Sequence, residues 1–440
     1  MTSIEETKAL APWTETLPPD WLATRLDAVA DVLFSNVDKH TIEGEVPVRL
    51  CNYVDVYKNE RITGGLDFME ASAEPREIKK FQIRPGDVLA TKDSEEADDI
   101  AISALVAEEL PGVLCGYHLA LIRPRFSTVS GPFLSWLHSS KAFRAQYEAK
   151  AVGVTRFGLS QYAFRAARVP LPPLPEQERI AAYLDASCAA IDAAVAAKRR
   201  QLETLDALRK AITLQAVTRG LNPNVPMRET GIDWIPEIPA HWDTAKLTSL
   251  FWFRKGARAG DITQKYIAEY PGEFPVFSGQ TEDGGLMGSI DSFEFNFDSP
   301  VIFVTTVGAK AMSTRLVSGK FSVSQNCALI IPWHQKTRVD YFEPTIQELF
   351  DFERRSIALI MQPSLRFKDL KKFRLPLPPA TEQAAICAHL AAKLGEAKQV
   401  ANSIETQIAT LTAYRKSLIH ECVTGQRRIT ESDTSNLMLT

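Results

Sequence analysis

Nowhere in the 440 residues does an uninterrupted apolar run approach the ~20 needed to cross a bilayer. Positions 1–11 also lack the basic-then-apolar order of an export signal. These absences set the expectation of a soluble cytoplasmic protein with no membrane partner. Cysteine is sparse: Cys51, Cys115, Cys188, Cys327, Cys387 and Cys422 are scattered, with no C-x-x-C pair and no histidine at ligand spacing. That pattern fits buried thiols in a reducing compartment and argues against zinc or any other metal site. There is no [DN]-P-P-[YF] string and no glycine-rich cofactor turn after a strand, so this chain is not expected to methylate a base itself. A G-x-x-x-x-G-K-[ST] loop is missing too. The nearest string, around Gly319-Lys320, lacks the first glycine and the hydroxyl, which excludes an ATP-driven motor. An excess of positive charge is also lacking: 50 Lys and Arg stand against 54 Asp and Glu, a formal −4. Taken over the whole chain, that balance argues against a nucleic-acid partner.

What is present is a duplication. Residues 170–220 match 376–426 at a constant offset of 206, with 18 of 51 positions identical, too many for chance without a gap. Both blocks open on Pro-Leu-Pro-Pro and continue through Glu176-Gln177 and Glu382-Gln383 to Val217-Thr218 and Val423-Thr424. Upstream, Trp13, Pro18 and Trp21 recur as Trp234, Pro239 and Trp242, and Ala120-Leu-Ile recurs as Ala328-Leu-Ile. Each block reads as a long helix, with Pro-Pro before it, an acid in its first turn and Gly220 or Gly425 near its end. Seven-residue spacing places Leu184, Ile191, Leu205 and Ile212 on one seam, and Leu390, Ile404, Leu411 and Leu418 on the other. Lys198 interrupts the first seam where its counterpart is Ile404; a lysine can snorkel to the edge of such a pair. Rods of roughly 60 Å need a partner, and each is the evident partner of the other.

The expected fold class is mixed α/β: two globular heads separated by two long helices that form an antiparallel coiled coil, with a pseudo-two-fold duplication. The boundaries are 1–168 for the arm and first head, 169–220 for the first helical region and 221–241 for a linker. They continue with 242–375 for the second head, 376–426 for the second helical region and 427–440 for a tail. Strands are expected at 85–91, 112–121, 300–306 and 321–331, and helices at 132–149 and 345–361. The proline-rich linker reads as an extended connection and the polar tail as disordered. Two unequal heads on a helical spacer suit a ruler for two short DNA targets better than they suit an enzyme.

The string PLPPLPEQERIAAYLD, the second LPLPPATEQ and the linker RGLNPNVPMRETGIDWIPEIPAHW resemble the specificity subunit of Type I restriction–modification systems. The resemblance covers nearly the whole chain. It implies two target-recognition domains reading a bipartite, asymmetric site in double-stranded DNA, and a non-catalytic role. It implies as partners two methyltransferase subunits and ATP-dependent restriction motor subunits. It places the cofactors S-adenosylmethionine, ATP and Mg in those partners and none in this chain, with methylation at adenine N6. A coiled-coil scaffold, or the specificity module of another restriction or methylation system, is the alternative.

Candidate DNA contacts follow from chemistry, with Lys and Arg for phosphates and polar tips for base edges. Residues 141–168 hold six bases against Glu148, and 366–374 hold five against Asp369, both just before a Pro-Leu-Pro-Pro string. Residues 41–110 are acidic, 16 against 8, so the total of −4 hides a segregation of charge. The candidates in the first head are Lys92, Ser94, Tyr117, His118, Lys150 and Arg156. Those in the second are Lys310, Arg315, Lys320, Gln325, Asn326, Arg366 and Lys368. The turns Gly116-Tyr-His118 and Ser324-Gln-Asn326 precede matched strands yet differ in chemistry, as two specificities require; neutral drift would leave the same trace. A helix face or a partner surface is the plain alternative for the basic clusters. Asp87 and Asp93 beside Lys92 imitate a nuclease metal site, but the run through Asp98-Asp99 reads as a solvated acidic loop.

Overall fold

A computed structural model describes residues 11–279, 282–308, 310–358 and 363–437. It divides into two compact units, 1–199 with 406–440, and 200–405. Each unit holds one head and part of each long helix. The first helix runs Leu174–Arg219 and the second Ala380–Val423, 46 and 44 residues. At about 1.5 Å per residue these are rods of nearly 70 Å.

In the first unit the helices run antiparallel, as the descending order of partners shows. Arg428 bonds Glu176, Arg427 lies over Tyr183 and Arg415 bonds Asp192. Their seam is continuous with the core of the head: Ile180, Leu184, Ile191, Leu418 and Val423 pack in one cluster with Trp21, Phe133, Tyr147 and Phe164. In the second unit Val217, Ile386 and Leu390 share a cluster with Trp242, Phe251, Tyr341 and Phe350. Ile404 is also buried, and Leu205, Ile212 and Leu411 are half-buried. Lys198 is half-buried. One stretch of the first helix is alanine-rich enough to cross a membrane by length and composition alone. Its Asp185 is held by Arg61 and Trp136, and its Asp192 by Arg415.

The heads share one frame. In the first, a sheet runs in the order Ala30–Phe34, Leu119–Pro124, Val88–Thr91, Ser103–Val106, Arg61–Ile62. In the second, the order is Phe251–Arg254, Cys327–Pro332, Phe295–Thr305, Thr314–Val323, Pro271–Phe277, Leu286–Ile290. In both, the first four strands are antiparallel neighbours and the fifth joins parallel. The first head adds a small sheet of Met69–Ala73, Val46–Cys51 and Val113–Cys115. At the root of each head a two-stranded ladder ties its entry to its exit: Leu22–Arg25 with Arg168–Leu171, and Asp243–Lys246 with Arg374–Leu377.

Head and helix meet in the same way twice. The indole N–H of Trp21 donates to Glu176 at 3.1 Å, and that of Trp242 to Glu382 at 2.9 Å. Gln177 and Gln383 each donate to the carbonyl of the proline five residues before, both at 2.9 Å. Gly425 (φ 76°) and Gly220 (φ 72°) end the opposite helices in the left-handed region. A Cβ on Gly425 would sit 2.4 Å from Pro18, and one on Gly220 would sit 3.0 Å from Trp242. The two recurring glutamates are therefore junction acceptors as well as acids at a helix N-terminus.

Several expectations change. The linker is not an extended connection but a hairpin, Met227–Ile232 with Ile235–Pro239, turning at Asp233-Trp234, with Gly231 (φ 68°) at an irregularity of the first strand. Its prolines stand at ends and edge positions, where no ladder N–H is needed. The tail forms a helix, Glu431–Leu437, behind a buried Ile429. The expected helix at 132–149 is two, Gly131–Ser139 and Lys141–Glu148, parted at Ser140. That at 345–361 begins earlier, as Val339–Ala358 with Pro344 inside it; positions 359–361 lie outside the described residues. The strands expected at 112–121 and 321–331 each break at the polar turn, 116–118 and 324–326.

Candidate nucleic-acid interface

The central strand of each head ends in the same clamp. Thr91 N donates to Ile102 O at 2.8 Å, Ala101 N donates to Thr91 O at 3.2 Å, and Ile102 N donates to Thr91 Oγ1 at 3.1 Å. Thr305 does the same with Ser313 O (3.0 Å), Met312 N (2.8 Å) and Ser313 N (3.0 Å). Ala101 (φ 60°) and Met312 (φ 67°) are the two non-glycine residues with positive φ among the described residues, and both are buried. A left-handed side-chain residue costs energy, and strain of this kind gathers at functional loops. No signal in the sequence marks either position.

Just past the clamp, three segments meet. Lys92 N donates to His118 O (3.1 Å) and Leu159 N to Lys92 O (2.8 Å). In the second head Thr306 N donates to Asn326 O (2.7 Å) and Leu365 N to Thr306 O (2.8 Å). Lys92 thus corresponds to Thr306, and His118 to Asn326. The short pairing of Asp93 with Gly158 is repeated by the bridge of Val307 to Ser364. Residue 309 of the expected contact loop 305–310 lies outside the described residues.

The first head gathers Lys92, Tyr117, His118 and Arg156 at this point. The Lys92 ammonium lies 4.3 Å from the Tyr117 ring and 5.2 Å from that of Phe34, and burial lowers its pKa. Asp93 bonds His118 Nδ1 at 2.8 Å and also accepts from Arg156, whose pKa it raises. An open groove of about 520 Å³ adjoins Tyr117 and His118, with Asn52, Tyr53, Asp55 and Asp67 on its wall. Two candidates do not belong. Ser94 is buried and accepts from Glu96 N; its side chain points inward. Lys150 is half-buried near Arg25, outside this cluster.

In the second head the strand order brings Gln325 and Asn326 beside the segment that carries Arg366 and Lys368, through the backbone bonds of Thr306. Lys310 lies on the same loop, its carbonyl accepting from Thr305 Oγ1. Lys255 lies over Phe367 at 5.5 Å and brings a further cation that sequence reasoning had missed. Arg315 is a correction: its guanidinium is half-buried between Phe303 (4.1 Å) and Phe277 (4.9 Å) and donates to Gly284 O. Lys320 is exposed and lies over Phe293 and Phe274, in the half of its strand that leads into the turn at 324–326.

The basic cluster at 141–168 is not one surface. Arg144 is largely buried, with burial lowering its pKa, and Arg156 is drawn away to Asp93. In the second cluster Lys372 pairs with Glu353 and Arg374 bonds Thr244, leaving Arg366 and Lys368 nearest the tip. The nuclease-like carboxylates are already engaged: Asp87 is fully buried and bidentate with Arg123, and Asp93 is bound as above. Among the described residues no group of three or more potential ligands could hold a metal.

Residues 53–204 and 239–406 match the family described as Type I restriction modification DNA specificity domain. A putative type I restriction enzyme MjaX specificity subunit from Methanocaldococcus jannaschii is 21% identical over 437 residues, 94% of this chain and 95% of that protein. A putative type I specificity subunit from Mycoplasma pneumoniae is 44% identical over 73 residues, 17% of this chain and 23% of its own. A solved chain from a study of complex assembly in the type I system aligns with TM-score 0.70 at 18% identity, covering 92% of this chain and 98% of its own. The HsdS subunit of Thermoanaerobacter tengcongensis aligns at 0.53 and 18%, over 93% and 98%. At these identities the structures share the fold.

Proposed function

The chain belongs to the Type I restriction–modification DNA specificity family, and we propose that its two heads read the two halves of one bipartite, asymmetric site in double-stranded DNA. One observation carries this reading. Two heads built on the same strand frame, clamp and junction expose different side chains at matching positions, Tyr117-His118 against Gln325-Asn326. A repeated frame with different tips is what two separate base-reading tasks on one scaffold require.

The chemistry is assigned to partners: two methyltransferase subunits acting at adenine N6 with S-adenosylmethionine, and restriction subunits using ATP and Mg. This chain contributes position and sequence choice, not a catalytic group, and works in the cytoplasm alongside its DNA. The internal duplication supports two copies of one partner, since each junction repeats the same Trp–Glu and Gln–carbonyl bonds at the start of a long helix. The long helices set the length of the unread spacer between the halves.

The test is an exchange. Replacing residues 20–165 by the corresponding domain of another family member should alter one half of the methylated site and spare the other. Alteration of both halves, mapped at base resolution, rules out the two-head reading. Inserting four residues, about one helical turn, into both long helices should lengthen the spacer. An unchanged spacer removes the helices from that role.

A further inference from the structure

The turn ahead of the second matched strand offers two amides with nothing to bind within the described residues. Gln325 and Asn326 are both exposed, and neither side chain takes a hydrogen bond there. Their backbone, by contrast, is pinned. Ser324 N donates to Phe277 O (2.9 Å), Cys327 N to Ser324 O (3.2 Å), and Asn326 O accepts from Thr306 N (2.7 Å). Cys327 and Ala328, which follow, are completely buried in the sheet. Free polar tips on a rigid turn lose little ordering entropy on binding, which is how a preorganised reader is built.

A carboxamide pairs one donor with one acceptor. That set matches the N6 amino group and N7 of adenine in the major groove, which Asn and Gln bind in bidentate fashion. Lys255, Arg366 and Lys368 flank the turn and can meet the phosphates that fix its register.

We propose that Gln325 and Asn326 read an adenine in one half-site, and that Tyr117 and His118 hold the equivalent reading position for a different base in the other. The equivalence is geometric. Leu119 N donates to Gly116 O (3.1 Å) as Cys327 N does to Ser324 O, and His118 O accepts from Lys92 N as Asn326 O does from Thr306 N. The tips differ in freedom as well as chemistry. His118 is held through Nδ1 by Asp93, which leaves Nε2 to face outward, and Tyr117 lies under the Lys92 ammonium.

The proposal rests on the DNA-specificity reading above, and the experiment separates the two. The chain is reconstituted with its methyltransferase subunits on DNA carrying randomised half-sites, and methylated adenines are mapped at base resolution. The double variant Gln325→Ala/Asn326→Ala should reduce an adenine preference at one position of one half-site at least tenfold, with the other half intact. Asn326→Asp should move that preference toward cytosine, whose N4 amino group a carboxylate accepts. A misfolded head cannot produce such a gain. Tyr117→Ala/His118→Ala should act on the opposite half. Uniform weakening with unchanged preference would assign the amides to phosphates and overturn the proposal, as would changes in both halves. A wild-type complex that methylates without sequence preference would instead sink the DNA-specificity reading itself.

Discussion

The two units solve one structural problem twice, and they differ where function needs a difference. Their junctions are near copies: a buried tryptophan on a glutamate at a helix N-terminus, and a left-handed glycine ending the opposite helix. Their clamps are also copies, down to a positive-φ residue that is alanine in one head and methionine in the other. The tips past the clamp share backbone bonds and no side chain. The frame is buried, where a change costs several kcal/mol. The tips touch solvent, where replacement costs little, so they can carry identity without endangering the fold.

The most forceful way to break the comparison is at the junction tryptophans. Trp242 is 1% exposed and Trp21 5%. Replacing either by alanine should cost about 3–5 kcal/mol, and each change should lower the unfolding transition of its own unit. Calorimetry on the two single variants checks this. If Trp21→Ala shifted only the transition assigned to the second unit, the division into units would be wrong.

Acidity should act on the units in opposite directions. His138 is fully buried in the first, its Nδ1–H donating to Leu134 O and its Nε2 accepting from the Tyr147 hydroxyl. Burial pushes its pKa down to about 4 from an ordinary 6.5. As pH falls from 6.5 toward 4 the unfolded chain takes the proton first, and up to about 3 kcal/mol of stability is lost. Glu348 in the second unit is pushed up to about 7 by burial and then by Asp351, against Arg355 and Lys210. As pH rises from its ordinary 4.5 through 7, the unfolded chain ionises first and stability falls. Allowing for its partial exposure, the loss is about 1–2 kcal/mol. Glu348→Gln should therefore gain stability over wild type at pH 8 and none near pH 4.5. A gain of the same size at both pH values would show that ionisation is not its source.

Much of the frame was legible because it repeats. The offset of 206 aligns both long helices, and the upstream matches locate both heads without reference to any strand. What stayed hidden depends on partners distant in sequence. Arg315 reads as an exposed cation until Phe277 and Phe303 close on it. Ala101 and Met312 look ordinary because backbone strain leaves no mark on residue type. The linker prolines suggested an open chain, since composition does not reveal that two short edge strands will pair. The two misread strands are the most instructive. A continuous apolar pattern carries through the polar turn in both heads, and the turn it conceals holds Tyr117, Gln325 and Asn326 exposed in the candidate interface.

The smallest predicted effect tests whether the two junctions are equally secured. In the second unit a hairpin linker joins the end of the first helix, Arg219, to Trp242, so the chain itself keeps that tryptophan near its helix. In the first, residues 18–21 meet residues 425–428, with no such connection. There Arg428 supplies the tie. It is bidentate with Asp20, bonds Glu176 at 2.7 and 3.0 Å, and its own pKa is raised by these contacts. Glu176 is nearly buried, so removing Arg428 strands a carboxylate on one indole N–H, a change worth about 1–2 kcal/mol. His241 bonds Glu382 at 2.7 Å, but both are well exposed, and His241→Ala should cost no more than about 0.5 kcal/mol. Arg428→Lys should recover only part of the loss, because an ammonium cannot span two carboxylates with a planar fork. Hydrogen exchange at residues 21–25 should quicken in Arg428→Ala while residues 242–246 stay unchanged in His241→Ala. Equal quickening at both sites would mean that the linker adds nothing, and that the second junction is held by its contacts alone.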